Sequence, residues 1–585
     1  MKVGKKGIII AIVSTIVIIG IIVCIIFSLT GAPIISKIVN PGGGDDWLYK
    51  PGKSGKYGNS SGLVYSSTAT DALSEAMSSA GSASSKSNTG SYLGYTVGGA
   101  SNTDSFRQNI KNGYLPLSTD ITYNGLYSEY YFDTGDRAKK SDEMFYPSYS
   151  FAVSTNPLSK EQEYYMSIGL NSNIKESDFQ RNKVNLVIVL DISGSMSSSF
   201  NSYYYDKKDK SDNKSKMKIA EECVNNLIDK LNPDDRFGIV LFDDQGYIGK
   251  KISTVKDTDL EKIKNHILEV EPMGGTNFSS GYELGTELFE GYLEDESYQN
   301  RIVVITDAMP NRGDISSDGL TGKIEKNAEK KIYTSLVGVG VDFNTELTEK
   351  LSDVRGSNYY SVHSSDEFNK ILAENFDYMI TPLIYDLDLY VNSEQFEIEN
   401  VYGSDSVNKT SGNIMHINTL FPSPSNSDGD VKGGIVVLKL KKIKDVENAD
   451  ISIRIAYKDV KENKHENTEK AEFKVKSGDY YDNLGIRKAI VLARYVNALK
   501  NWTLFEKSKL DQFKIQLDGC VAEFTCDNDY IVNVLGIHER KSEKLVVSDN
   551  YKELFRNLKK YIQDEKNELK DDSLKNEIEI LDLLV

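Results

Sequence analysis

The sequence predicts a multidomain chain built around a central α/β domain, residues 182–380, with a mostly parallel, doubly wound sheet. Three observations predict it. Continuous apolar runs recur at VNLVIVLD (184–191), FGIVLFDD (237–244), RIVVITDA (301–308) and KIYTSLVGVGV (331–341). Segments of helical period separate them: KMKIAEECVNNLIDKL (216–231), LEKIKNHILEV (260–270), SSGYELGTELFEGYL (279–293), KIEKNAEK (323–330) and TELTEKLSDV (345–354). The runs are apolar at successive positions rather than alternate ones, so both faces of each strand are covered. That combination is a Rossmann-like layering of helices on both sides of a sheet.

The remaining elements follow in chain order. MKVGKK (1–6) is basic and is followed by an almost wholly apolar run, with a transmembrane anchor predicted over 7–29. A helix of ~20 apolar residues crosses a bilayer. Lysines before it and Asp45–Asp46 after it put residues 1–6 in the cytoplasm and the bulk of the chain on the extracytoplasmic side of the cell membrane. A cleaved signal peptide has a shorter apolar part, ~7–15 residues, and a small-residue cleavage site. No A-x-A follows here, and Cys24 lacks the small residues that precede a lipidated cysteine. Residues 32–102 are rich in Gly, Ser and Ala and read as a flexible linker, with a short helix near Asp71–Ser79. Residues 103–181 form a β-rich flank: DSFRQNIKNGYLP is a short amphipathic helix stopped by Gly113 and Pro116, and YSEYYFD, YSFAV and EYYMSIGL are strands. Period-two alternation in LDLYV, FEIENVYG, GIVVLKLKK, ISIRIAYKD and KAEFKVK predicts an antiparallel β-sandwich over 385–476. Residues 478–585 return to helical period in NLGIRKAIVLARYVNALKNW and YKELFRNLKKYIQDEKNELKDD.

Composition excludes several classes. The 585 residues carry 69 Lys and Arg against 86 Asp and Glu, a net charge of -17, which repels phosphate backbones and argues against nucleic acid as a partner. The 4 cysteines do not make a disulfide framework. Cys223 belongs to an apolar helix face; Cys520 and Cys526 are equally readable as a bridge or as free thiols. The 5 histidines are scattered, and none makes HExxH.

The chemistry concentrates at the ends of the apolar strands. In a doubly wound sheet, ligands bind outside the carboxyl ends of the strands. Asp191 ends the first run, and DISGSMS projects Asp191, Ser193 and Ser195 from that edge, with Gly194 allowing the turn. MGGTNFSSG puts Thr276 in a glycine turn before a helix, and RIVVITDA delivers Thr306 and Asp307 at the end of a later strand. Hydroxyls and carboxylates without sulfur or imidazole are hard donors that suit a divalent cation, Mg²⁺ first, with Mn²⁺ or Ca²⁺ as alternatives. Asp191, Ser193, Ser195, Thr276 and Asp307 are the predicted metal ligands.

These three motifs, in this order and at these places, resemble the von Willebrand factor type A domain and its metal-ion-dependent adhesion site. One departure is Ala308, where the family usually has glycine after the second aspartate. The resemblance implies that a partner protein's acidic side chain completes the cation's coordination. FRQNIKNGYLP before the domain and LFPSPSNSDGDVKGGIVVLKLKK after it resemble bacterial membrane-anchored proteins that hold such a domain between a β-rich flank and a helical tail. The insertion SSSFNSYYYDKKDKSDNKS, with Tyr203, Tyr204 and Tyr205, overhangs the metal face as a ligand-contacting or an irregular loop. The expectation is a membrane-anchored protein-binding or adhesion protein. The alternative is an auxiliary subunit that docks a channel, transporter or secretion machine through the same site. A hydrolase is not expected, since no histidine or extra carboxylate sits in the motifs as a general base; Asp243 and Asp244 read as capping the sheet edge. No catalytic residue is predicted.

Overall fold

The computed structural model describes residues 46–50, 92–100, 103–135, 143–200, 214–307, 316–340, 345–362, 376–403, 406–408, 414–444, 447–521 and 542–585, with isolated positions at 366 and 369. The predicted anchor at 7–29, the short helix near Asp71–Ser79, the tyrosines of the insertion and the Cys520 and Cys526 side chains lie outside the described residues. Among the described residues, no helix is long and apolar enough to cross a membrane.

The α/β region has a seven-stranded sheet. From one edge it runs Gly99–Ala100, Asn358–Val362, Ile332–Val339, Tyr298–Thr306, Lys183–Asp191 and Arg236–Phe242, all parallel, and ends with Gly246–Thr254 antiparallel. Lys183–Asp191 lies in the interior, with later strands added first on one side and then on the other. The chain order therefore reverses next to its carboxyl end, the position where such sheets open a crevice. Successive side chains enter two separate cores, as the continuous apolar runs require. Leu186, Ile188 and Leu190 pack on Ala220, Cys223, Leu227, Ile263 and Ile267 from the helices Lys216–Asp229 and Leu260–Leu268. Val187 and Val189 pack on Phe278, Tyr282, Leu320 and Ile324 from Phe278–Glu287 and Ser317–Glu329. The helix Phe278–Glu287 lies very close to the sheet: a Cβ at Gly281 would come 2.6 Å from the Phe242 ring, and one at Gly285 would come 2.8 Å from Val189.

The β-rich segments on either side of this region form one eleven-stranded sheet. Phe145–Thr155 and Gln162–Lys175 make a hairpin, and Gln162–Lys175 pairs with Ile435–Lys442, placing Met166 opposite Leu438. Tyr92–Val97 inserts between Gln162–Lys175 and Ile414–Ser423. The sheet curls on itself around one core. Phe473 stacks on Phe151 with ring centroids 4.7 Å apart and lies 5.4 Å from Phe396, joining strands that are distant in sheet order. This is the sandwich-like part of the molecule, and it uses residues from before and after the α/β region.

Two pieces of the glycine- and serine-rich segment have defined places. Tyr92–Val97 carries Leu93 and Tyr95 into buried positions. Residues 46–50 run along the antiparallel edge strand: Leu48 N donates to Gly249 O at 2.8 Å, and Trp47 stacks on His266 at 5.5 Å. Composition averaged over 32–102 hides these apolar clusters.

The helices Leu484–Val521, Asp549–Leu569 and Lys575–Leu583 pack with the segment around Phe106–Phe132 against the outer face of the β-sheet, through Tyr495, Leu499, Trp502, Ala152 and Val437.

Candidate metal centre

Three connections converge at the carboxyl edge of the parallel sheet. Asp191 closes its strand with its carboxylate fully buried. Ser193 N donates to Asp191 Oδ1 at 2.8 Å, and Thr306 Oγ1 donates to Asp191 Oδ2 at 2.5 Å. The first bond folds the following loop back over the strand end. The second ties it to the neighbouring strand, whose next residue is Asp307. Buried Met196 anchors the single turn Gly194–Ser197, and this turn holds Ser193 Oγ and Ser195 Oγ 3.1 Å apart.

The threonine turn is fastened to the same loop. Gly194 N donates to Gly274 O at 3.1 Å, and Met273 N donates to Ile192 O at 2.7 Å. Gly274 takes a positive φ of 70°, which glycine adopts without strain. From the other side, Asp244 Oδ1 accepts from Gly275 N at 2.9 Å, and Asp243 O accepts from Asn277 N at 2.7 Å. Asn277 then caps the helix Phe278–Glu287 by accepting from Ser280 N. Asp243 and Asp244 thus brace the turn that carries Thr276, which is itself buried.

Asp307 differs from Asp191 in its partners. Its Oδ2 faces Lys216 Nζ at 3.2 Å, with both side chains completely buried. Among the described residues, its Oδ1 is buried with no hydrogen-bond partner. Buried carboxylate oxygens normally find donors. Burial first, and then the adjacent Asp307 carboxylate, push Asp191 up to about 7. Two mutually repelling carboxylates, one with a vacant oxygen, ringed by serine and threonine hydroxyls, are a fit for a small hard cation. Among the described residues, no three His, Cys, Asp or Glu side chains group as a metal cluster. The convergent set here has only two carboxylates, the remaining donors being hydroxyls.

The structure therefore brings the predicted loop, turn and strand end to one edge. Sequence reasoning placed Thr306 at this edge without its bond to Asp191, and it missed Lys216. Lys216 had a signal: with Ala220, Cys223 and Leu227 it occupies the fully buried stripe of its helix, an unusual place for a lysine unless it is paired. The insertion that ends there is closed at its base by a bridge between Ser199 and Ser215, and Lys216 N donates to Ser198 O at 2.9 Å.

Residues 186–309 match the profile of the von Willebrand factor type A domain. Among curated proteins, inter-alpha-trypsin inhibitor heavy chain H2 of Mus musculus is 24% identical over 211 residues, 34% of this chain and 20% of the relative. The chain thus spans about a fifth of the length of that relative. Among solved structures, a von Willebrand factor type A protein from Catenulispora acidiphila aligns over 57% of this chain and 75% of its own, at 13% identity and a TM-score of 0.34. The BatB protein from Bacteroides thetaiotaomicron aligns over 32% of this chain and 95% of its own, at 21% identity and a TM-score of 0.26.

Proposed function

Because the chain carries a von Willebrand factor type A domain, we propose that it is a membrane-anchored, extracytoplasmic binding protein. It grips an acidic side chain of a protein partner through a divalent cation held by Asp191, Ser193, Ser195, Thr276 and Asp307. The observation that carries this reading is the buried, unpartnered Oδ1 of Asp307, set beside a second buried carboxylate and a cluster of hydroxyls.

When bound, the cation supplies a Lewis-acidic centre able to take one more oxygen. The chain's own residues do the rest. Asp191 fixes the serine loop through Ser193 N and the strand end through Thr306. The Gly194–Gly274 bond keeps the threonine turn on that loop. Asp243 and Asp244 hold the turn from behind. Few formal charges come from the protein, so a carboxylate from outside completes the shell favourably.

The role is binding rather than turnover, since the three motifs contain no histidine to act as a base. The test is affinity capture with the tagged full chain, on intact cells and on detergent-solubilised membranes, with Mg²⁺ or with EDTA. Capture of the same protein in Mg²⁺, lost in EDTA and lost with Asp191→Ala, supports the reading. Recovery from intact cells marks a surface ligand. Recovery from solubilised membranes alone marks a neighbour in the same membrane and favours the auxiliary-subunit role. Capture indifferent to EDTA overturns the metal-dependent mode.

A further inference from the structure

The α/β region meets the eleven-stranded sheet at the turn after the helix Thr345–Ser352, and a histidine of the sheet stands at that seam. We propose that His416 is a proton-operated latch: its charged imidazole fastens this turn to the sheet, and loss of the proton releases it. The proposal does not rest on the metal reading above.

The geometry is specific. His416 lies on the strand Ile414–Ser423, opposite Asp388 of Ile384–Asn392. Its Nδ1 is 2.7 Å from Asp388 Oδ1, and its Nε2 is 3.0 Å from Asn418 Oδ1. Asn418 makes the crossing: its Nδ2 donates to Asp353 O and to Asp353 Oδ1, both at 2.9 Å. A backbone carbonyl can only accept, so the amide turns its nitrogen to Asp353 and its oxygen to His416. The amide oxygen and the carboxylate oxygen each need a donor, so both ring nitrogens carry hydrogen. The network is complete only around an imidazolium.

The surrounding charges favour that state. Asp386, on the strand of Asp388, bonds Lys458 of Asn448–Asp459 at 2.6 Å and lies 3.8 Å from Arg355 of the turn. Asp353 faces the ring from the same turn. Ser406, opposite His416 on the strand Ser406–Asn408, is uncharged. Burial lowers His416, but the bonds to Asp388 and Asn418 and the charges of Asp388 and Asp386 outweigh it and hold the imidazole above the ordinary histidine value.

On deprotonation one N–H remains. The charge-assisted bond to Asp388 is the stronger, so Nδ1 keeps the hydrogen. Bare Nε2 then faces Asn418 Oδ1, and two acceptors at that distance repel. The amide escapes only by turning its oxygen onto Asp353, where two further acceptors wait. The break therefore falls on the side that crosses to the α/β region. A folded-state pKa above the unfolded one means that the latch is fully present below the ordinary histidine range and is lost as pH rises through the raised value. The bonds from Gly356 N to Thr419 Oγ1 at 2.7 Å and from Arg355 to Glu462 at 2.5 Å involve no histidine and persist, so the turn loosens without detaching.

The test is hydrogen exchange of the full chain, purified in mild detergent, at pH 5.5 and pH 9. Rates are corrected for their intrinsic pH dependence and read in a peptide covering Asp353–Gly356. Wild type should lose protection there by about two- to tenfold at pH 9, the worth of an ordinary hydrogen bond. Asn418→Leu keeps the histidine and cuts the crossing, so protection should be low at both pH values. His416→Gln, which cannot gain the charge, should lack the pH step. In a titration of the histidine-labelled chain by NMR, the His416 signal is identified by its absence from His416→Gln. Its midpoint should lie above about 6.5 in wild type and fall in Asn418→Leu. Equal corrected protection at the two pH values in wild type overturns the proposal, and so does the same step in Asn418→Leu. A wild-type midpoint at or below about 6.5 overturns the charged state on which the latch depends.

Discussion

Two buried clusters in this molecule contain similar charges and have different fates. Between the β-rich flank and the helical tail, Arg107 bonds Glu129 at 2.7 Å and Glu577 at 2.6 Å, with Asp104 at its rim. At the edge of the parallel sheet, Lys216 faces Asp307, with Asp191 alongside. Each centre places one base among carboxylates. In the first, half-buried Glu129 and buried Glu577 each also have a neutral donor: Thr103 N and Oγ1 for Glu129, and Tyr130 Oη for Glu577. In the second, Asp307 Oδ1 has none. Charge alone therefore does not distinguish a structural cluster from a binding one. Among the described residues each cluster holds an unmet buried atom, Arg107 Nε in the first and Asp307 Oδ1 in the second, and only the second is a carboxylate oxygen that a cation can use.

The largest expected effect breaks the structural cluster. Arg107→Met strands two carboxylates between the flank and the tail and should cost about 3–5 kcal/mol, the usual penalty for removing one partner of a buried pair. Urea unfolding should show this loss equally in Mg²⁺ and in EDTA. A loss that Mg²⁺ reverses would mean that the two clusters are not independent.

The next breaks the open cluster. Asp307→Asn preserves shape and removes one charge. Mg²⁺ affinity should fall by more than about a hundredfold, beyond the loss caused by removing an outer-shell partner. Calorimetry reads this directly, and wild-type affinity in the variant would exclude Asp307 from the shell.

A pH series sharpens the contrast. Asp191 is raised to about 7 by burial and then by Asp307. Its contribution to metal-free stability is fully present below the ordinary aspartate range and is lost as pH rises through about 7. Mg²⁺ should therefore raise the melting temperature more at pH 8 than at pH 6, and its binding should release protons at pH 6. Glu163 behaves oppositely. Burial alone would raise it, but hydrogen bonds from Tyr165, Arg494 and Asn156 outweigh burial and hold it at about 2. Its contribution is present above the ordinary glutamate range and is lost as pH falls toward about 2, with or without Mg²⁺. A Mg²⁺ shift that is the same at pH 6 and pH 8 would contradict the Asp191 account.

The smallest effect lies away from both clusters. Trp47→Ala removes the stack on His266 and should cost about 1 kcal/mol by thermal melting, within the range of an aromatic pair. Mg²⁺ affinity should be unchanged.

The two clusters also differ in how far the sequence reveals them. Asp191, Ser193 and Ser195 sit within five residues, and Thr276 and Asp307 follow recognisable turn and strand signals. The parallel strands were legible because both faces are buried and the apolar runs are continuous. Most long strands of the eleven-stranded sheet were legible one by one, but the central strand Ile414–Ser423 was not, and neither was the pairing. Met166 meets Leu438 across the whole intervening α/β region, and local alternation carries no record of such a partner. Tyr92–Val97 was hidden by the small residues around it. Arg107, Glu129 and Glu577 come from three separate segments, so no spacing announces them. Lys216 was visible only as a lysine on an apolar stripe, and its partner lies 91 residues away.

The most direct test of the central claim is Mg²⁺ titration by calorimetry of the full chain beside an Asp191→Ala, Ser193→Ala double variant. Saturable one-site binding in wild type and none in the variant is the predicted result. Equal heats from both proteins would contradict the claim that the oxygens gathered at this sheet edge hold a cation.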